Sequence, residues 1–457
     1  MYSLHTPFVL PTSLYTSDPN EKKIGLSSNH HNTSKTSVAS EDSFKTKLSV
    51  FEHMIGAIEQ SSPIYKLNKI AGDLKAQGKP VYNLSVGNPC LQPPKEILKS
   101  FRKLSTAALK GKKRGLFKYT NNGGVAELRS YIATVLQSWQ QVSITPSSVV
   151  MTPGAQSAIV NAYEALLQPG DHVIVETPFY ACFEQIAKLW KAKVQKVKFN
   201  QDNLLLDLES LKETCESSGS KLRVITLCLP SNPSGKLMND ETLLAISKIA
   251  KEHVKKHKRE VWILVDATYW RLNYSGTIVP SIFPKYDNSI IVSSFSKDLS
   301  LAGERIGYLA VNPLSKLSEN LSQWICMNNE RLGNISSPSF IQHVLVDVIK
   351  AHGELPSLKN AYKKRMKTLH DGLIAAGMES CTKPDGAFYL FPRLPKGTDD
   401  VIFAAELVKL GVLVIPGSSF GAPGYIRVTG IPSCQDIKAA CKIMKKVLGV
   451  KPPPITK

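Results

Sequence analysis

Val261-Trp262-Ile263-Leu264-Val265-Asp266 runs through five apolar residues, ends on a carboxylate and is followed by Ala267-Thr268-Tyr269. A short apolar run of this length reads as a strand. Similar runs stand on either side of it, at 148–152, 172–176, 193–199, 223–229, 289–293 and 305–311. Longer amphipathic stretches separate them. Strand and helix alternating at this spacing predict an α/β fold, a three-layer sandwich with a mostly parallel central sheet. In such a sheet ligands bind beyond the carboxyl ends of the strands. The polar signatures fall there: Gly154-Ala155-Gln156, Asn232-Pro233, Asp266, and Ser294 to Lys297.

The two ends of the chain read differently from the middle. Residues 1–50 are rich in Ser, Thr, Asn and His, carry five Lys against four acidic residues and show no period, which predicts a disordered tail. From Val50 an apolar stripe of Phe51, Met54, Ile55 and Ile58 predicts a helix, and 64–74 a second one, with a short strand at 81–86. Residues 335–457 mix helices with short strands at 388–391, 412–415 and 425–428. The expected organisation is a tail at 1–50, an arm and first part of a smaller α+β domain at 51–100, a large domain at 101–334, and the rest of the smaller domain at 335–457.

Composition narrows the classes. With 457 residues and 42% hydrophobic content the chain can bury a large core in more than one domain. A net charge of +20 admits nucleic acid, membranes or acidic metabolites as partners. The basic residues are spread along the chain, however. The denser runs at 110–118 and 251–259 lack the interleaved aromatics of a single-strand platform, so neither nucleic acid nor membrane is expected. Cys90, Cys182, Cys215, Cys228, Cys326, Cys381, Cys434 and Cys441 are scattered without a C-x-x-C pair, which argues against a disulfide framework or a zinc site. His253 and His257 have helical spacing, but Lys255, Lys256 and Lys258 around them would repel a cation, and no metal is expected. No apolar stretch is long enough to cross a bilayer, and the N-terminus lacks the order of a secretory signal, so a cytoplasmic setting is expected.

The chemistry concentrates in Ser293-Ser294-Phe295-Ser296-Lys297, followed by Gly303-Glu304-Arg305-Ile306-Gly307-Tyr308. A lysine after an apolar strand is by itself an ordinary surface residue. Here hydroxyls precede it and an arginine follows. Hydroxyls, backbone N–H groups and a guanidinium are what a phosphate monoester requires. A lysine beside them can form an imine with a bound aldehyde.

These residues resemble the S-x-S-K…G-x-R-x-G motif of the fold-type I pyridoxal-phosphate (PLP) enzymes, in the class I/II aminotransferase family. The resemblance runs from about residue 60 to residue 447, with several separated motifs in the family's order. It implies an aminotransferase that moves an amino group from an amino acid to a 2-oxo acid through a Schiff base on Lys297. The lysine amine would then shuttle the proton at the substrate's Cα. Asp266 would pair with the pyridine nitrogen, although a strand-end aspartate also serves as a helix cap. The family's D-E-x-Y appears here as Asp266-Ala267-Thr268-Tyr269, and Tyr269 would bond the cofactor's phenolic oxygen. Asn232, in an Asn-Pro-Ser-Gly stretch that alone signals only a turn, would donate to the same oxygen. Gly154, Ala155 and Gln156 would bring helix amides to the phosphate, with Ser294 and Arg305 completing its cup. Tyr180, in Pro178-Phe179-Tyr180, would stack on the ring; its plain alternative is a core tyrosine.

The substrate side is implied in the same way. Arg427, in Tyr425-Ile426-Arg427-Val428-Thr429-Gly430, would grip the α-carboxylate, and Gly87 would line the same pocket. Tyr119, in a Y-x-x-x-x-G-x-x-x-L-R match ending at Arg129, would reach the phosphate of a partner subunit, which implies a homodimer. In one aspartate-specific branch a lysine follows the two small residues of the phosphate loop; here that position is Gln156, so the substrate's side chain stays open. Relatives on this scaffold also cleave carbon–sulfur bonds with the same lysine, aspartate and arginine. Some non-enzymatic regulators join such a domain to a helix-turn-helix, but residues 1–50 are too short and unpatterned for one.

Overall fold

The structure is a computed structural model and describes residues 63–449. The expected tail and the helix beginning at Val50 lie outside them. The strands are β1 (Tyr82–Asn83), β2 (Val149–Thr152), β3 (His172–Glu176), β4 (Lys193–Val197), β5 (Leu222–Cys228), β6 (Trp262–Asp266), β7 (Ser289–Ser294), β8 (Gly307–Val311), β9 (Tyr389–Leu390), β10 (Val412–Leu413), β11 (Ile415–Pro416) and β12 (Ile426–Thr429). The helices are α1 (Pro63–Ala76), α2 (Lys95–Leu109), α3 (Ala126–Gln140), α4 (Ala155–Leu166), α5 (Cys182–Leu189), α6 (Leu208–Ser218), α7 (Asp240–His257), α8 (Ser318–Arg331), α9 (Ser339–His352), α10 (Lys359–Ala376), α11 (Asp400–Lys409) and α12 (Cys434–Val447).

Seven strands form the main sheet in the order β2-β8-β7-β6-β5-β3-β4. β8 runs antiparallel to both β2 and β7, and the other neighbouring pairs are parallel. Successive side chains leave a strand on opposite faces, and the two faces sort cleanly here. Met151, Ile174, Ile225, Ile263, Val265, Ile291 and Ala310 share one apolar cluster with Ile97 and Leu104 of α2, Leu128 and Leu136 of α3, Leu211 of α6 and Leu243 and Ile246 of α7. Val150, Val173, Val175, Val224, Leu264, Ile290, Val292 and Leu309 face a second cluster with Ala158 and Ile159 of α4, Phe183 of α5 and Ile325 of α8. Both faces are buried, which is why β6 carries an unbroken apolar run. The result is the expected three-layer α/β sandwich.

A second body of structure packs Leu84, Phe388, Leu390, Ile426 and Val428 against Met366 and Leu373 of α10, Phe403 and Leu407 of α11 and Ile437 and Met444 of α12. β1 pairs in parallel with β10, which ties residue 82 to residue 412 and joins the front of the chain to its end. Several helices carry the caps that their N-termini require. Asp207 accepts from the Ser210 amide, Asn239 from Thr242, Asp399 from Val401 and Ile402, and Ser433 from Asp436.

Some expectations need correction. The strand read at 81–86 is only Tyr82–Asn83, and 388–391 is only Tyr389–Leu390, because each has a partner strand over two residues. The run at 412–415 is two strands broken at Val414, each with a different partner. The run at 305–311 begins at Gly307, since Arg305 sits in a left-handed turn at φ 51°. α9, which falls in the stretch expected to complete the smaller domain, instead joins the main sheet's core through Ile341, Val344 and Leu345. The Ser100 hydroxyl and Lys103 amine of α2 fasten it there through Asp347, at 2.9 Å and 2.7 Å. Among the described residues no helix is long and apolar enough to cross a membrane.

Candidate active site

β5, β6 and β7 end side by side, β2 ends at the same edge of the sheet beyond the start of β8, and a cavity of about 290 Å3 opens beyond these carboxyl ends. Gly87, Ala155, Gln156, Tyr180, Asn232, Asp266, Tyr269, Ser294, Lys297, Arg305 and Arg427 all line it. These residues are drawn from positions 87 to 427, so only the folded chain assembles them.

Lys297 follows β7 and its amine donates to the Gly87 carbonyl at 2.8 Å. Burial, then the Arg427 and Arg305 charges, lower its pKa from 10.5 to about 8; Asp266 acts in the opposite direction. Asp266 closes β6 and is buried. Its Oδ1 accepts from the Thr268 amide at 3.0 Å and the Thr268 hydroxyl at 2.6 Å. Burial pushes its carboxyl up, while those two hydrogen bonds and the Lys297 charge pull it back.

α4 begins directly after β2 with no side-chain cap, so its first amides point at the cavity end of the helix without an internal partner. Gly154 before it has φ 86°, a conformation open to glycine. A Cβ there would lie 2.6 Å from Nη2 of Arg305, so the absence of a side chain lets the guanidinium lie against the helix start. Arg305 is held by donating to Ala302 O at 2.8 Å and Pro153 O at 3.1 Å. Backbone amides, hydroxyls and a guanidinium in this arrangement can hold a phosphate monoester. An amine that loses its proton readily can attack a carbonyl carbon.

Arg427 lies on β12, fully enclosed at 2% exposure. Its Nη1 donates to Asn232 Oδ1 at 3.1 Å and its Nη2 to Ser85 O at 2.6 Å, whereas the buried Nε has no partner among the described residues. An enclosed guanidinium with donor capacity left over suits a carboxylate.

Gly154 supports the cavity from behind Arg305. Tyr119 does not reach it: its side chain is 78% exposed and lines a separate groove with Arg129, Ser339 and His343. Val86, Asn88, Ile159, Thr268, Ser296 and Tyr389 also line the cavity, though sequence reasoning did not select them. Thr268 and Ser296 sat inside the quoted motifs, and Ile159 lies three residues after Gln156 on the same helix face. Tyr389 gave no signal, because its neighbours Phe388, Leu390 and Phe391 make the segment read as core.

The sequence profile described as "Aminotransferase class I and II" matches residues 79–443. The chain is 30% identical over 390 residues to the aspartate aminotransferase of Bacillus subtilis, covering 82% of this chain and 93% of that protein. It is 26% identical to the aspartate/prephenate aminotransferase of Thermus thermophilus, covering 84% and 95%. Among solved structures, an aminotransferase from Eubacterium rectale superposes with a TM-score of 0.76 at 27% identity, covering 84% of this chain and 95% of that one. The aspartate aminotransferase of Thermotoga maritima gives 0.74 at 27%, covering 85% and 97%. Such enzymes use pyridoxal 5'-phosphate. The cavity suits that group on its own terms, with the glycine cradle under Arg305, the uncapped start of α4 and a depressed amine in one enclosure. A profile match through most of the chain and relatives aligned over nearly their whole length mean that this chain belongs to the class I and II aminotransferases, PLP-dependent enzymes that act on amino acids and 2-oxo acids.

Proposed function

We propose that Lys297 is the amine that binds the cofactor aldehyde and, once released, carries the proton at the substrate's Cα. The observation that carries this reading is an enclosed amine with a pKa of about 8, in one cavity with Asp266, Arg305 and Arg427. When bound, pyridoxal phosphate supplies a ring that accepts the electrons of the bond broken at Cα. Asp266 holds a proton on the ring nitrogen. Its fastening by Thr268 supports that role, since the carboxylate is oriented before anything binds. Tyr269 and Asn232 address the phenolic oxygen, and Tyr180 offers its face to the ring. Ser294, Arg305 and the amides from Gly154 to Gln156 hold the phosphate. Arg427 holds the substrate's α-carboxylate, with Gly87 beside it.

The enzyme works as a homodimer in which Tyr119 of each chain serves the other's phosphate. Its exposure outside its own cavity supports this. The body built on α10, α11 and α12, together with β1, acts as the smaller domain over the sheet's cavity. A reducing, cytoplasmic setting is consistent with eight unpaired cysteines. The names of the relatives make aspartate the first amino donor to test. Gln156, Asn88 and Ile159 line the cavity with neutral groups, so neutral amino acids belong in the same panel.

The test is the visible spectrum of the PLP-loaded protein while amino acids are added one at a time. An active donor bleaches the cofactor's long-wavelength band, and a 2-oxo acid restores it. Lys297→Ala is expected to abolish this cycle and to keep the wild-type circular dichroism spectrum; turnover at the wild-type rate in that variant would refute the assignment of Lys297.

A further inference from the structure

Tyr389 is where the two halves of the cavity touch. It lies opposite Thr429 in the β9–β12 pair, so Arg427, two residues along β12, is its diagonal neighbour on the same face. The Arg427 guanidinium stands 4.6 Å above the centre of the Tyr389 ring, and the Phe420 ring lies 5.0 Å from the same guanidinium. The Tyr389 hydroxyl is 3.1 Å from the Tyr269 hydroxyl. It also fills the place a Cβ on residue 87 would need, so any side chain there would have to displace the Tyr389 ring.

We propose that Tyr389 is a positioning residue with two separable parts: its ring holds Arg427 for the substrate carboxylate, and its hydroxyl holds Tyr269 for the cofactor. This rests on the roles given to Arg427 and Tyr269 above. Among the described residues Arg427 has two hydrogen bonds, one from each Nη, and an unpartnered Nε, so stacking adds to what fixes its plane. Away from water a cation–π contact is near its strongest. The hydroxyl has a direction. The Arg427 charge partly offsets the rise that burial imposes on the Tyr389 phenol, whereas Tyr269 is pushed well up with no such relief. A guanidinium 4.6 Å above the Tyr389 ring stabilises negative charge on that phenol rather than on Tyr269, so the proposal makes Tyr389 the donor across the 3.1 Å pair. The Tyr269 proton is then free to point into the cavity, and accepting one hydrogen bond strengthens the one it donates.

Tyr389→Phe and Tyr389→Leu in the PLP-loaded enzyme separate the parts, with Tyr269→Phe as reference. Two quantities are read: KM for the amino acid, and the pH midpoint of the bound cofactor's visible band. A donor to the phenolic oxygen favours its ionised form, so weakening that donor raises the midpoint. Tyr389→Phe is expected to raise the midpoint by part of the Tyr269→Phe shift and to leave KM within about twofold, since the ring remains. Tyr389→Leu is expected to raise KM roughly 5- to 30-fold as well, the range of a desolvated cation–π contact. If Tyr269→Phe moves the midpoint and Tyr389→Phe does not, the hydroxyl part is overturned. If Tyr389→Phe raises KM as much as Tyr389→Leu, the ring part is overturned. If Tyr269→Phe itself leaves the midpoint in place, the role of Tyr269 has failed and the hydroxyl part falls with it, while the KM comparison still decides the ring part.

Discussion

An amine with a pKa of about 8 is neutral for roughly a quarter of the time at pH 7.5; one at 10.5 would be neutral about one time in a thousand. In the role proposed for Lys297 that difference would make it reactive under ordinary conditions, and it fixes a sign. The folded chain favours the neutral form, so uptake of PLP by the apoprotein should rise with pH through a midpoint near 8. Arg427→Ala removes a neighbouring cation and should move that midpoint up; Asp266→Asn removes the anion that stabilises the charged lysine and should move it down. Stopped-flow PLP uptake against pH reads both, and shifts in the same direction would sink the charge account. Arg427→Ala should also weaken amino-acid binding by roughly 10- to 100-fold, the range for a lost charge-assisted hydrogen-bond pair, while PLP still binds. Lys297, Asp266, Asn232 and Gly154 were legible in the chain because polar groups follow apolar runs, whereas Arg427, Gly87 and Tyr180 were reached through the family resemblance. Tyr389 was not, because a buried tyrosine between Phe388 and Leu390 carries no sign of which way its hydroxyl points.

At the scale of elements, the junction of β2 and α4 is where a backbone constraint meets the cavity. Gly154 combines a φ of 86° with a Cβ position 2.6 Å from Arg305. Gly154→Ala must strain the backbone, by about 1–3 kcal/mol for such conformations, and push the guanidinium away from the helix start. PLP affinity, followed by fluorescence titration of the apoprotein, should fall about tenfold or more. An unchanged affinity would mean that this turn does not form the phosphate cup. The strands of the main sheet other than the edge strand β4 were readable because burial on both faces writes an apolar run into them. The antiparallel course of β8 was not, since its alternation is the same in either direction. The two-residue strands β1, β9, β10 and β11 escaped correct bounds for another reason. Their pairing is set by where the chain diverges from its partner, and two residues cannot carry a period.

At the scale of the whole molecule the question is which chain Tyr119 serves. Within one chain it stands outside the cavity with its ring open to solvent, and Phe117, two residues earlier in the chain, is 71% exposed although one face stacks on Phe340. Two large aromatics left mostly exposed within three residues of chain are unusual on a surface that meets only water. Pairing two copies would bury them and deliver a phenol to a neighbour's phosphate. This has a consequence that no single variant shows. Lys297→Ala chains have a dead cavity and an intact Tyr119; Tyr119→Phe chains have the reverse. Mixed and re-equilibrated, hybrid dimers contain one cavity with both Lys297 and the partner's Tyr119. Activity should then rise above the sum of the two separate variants and follow the hybrid fraction, measured by differential tagging. If Tyr119 served its own chain, each hybrid would hold one dead and one weakened cavity, and mixing would leave the total where it began.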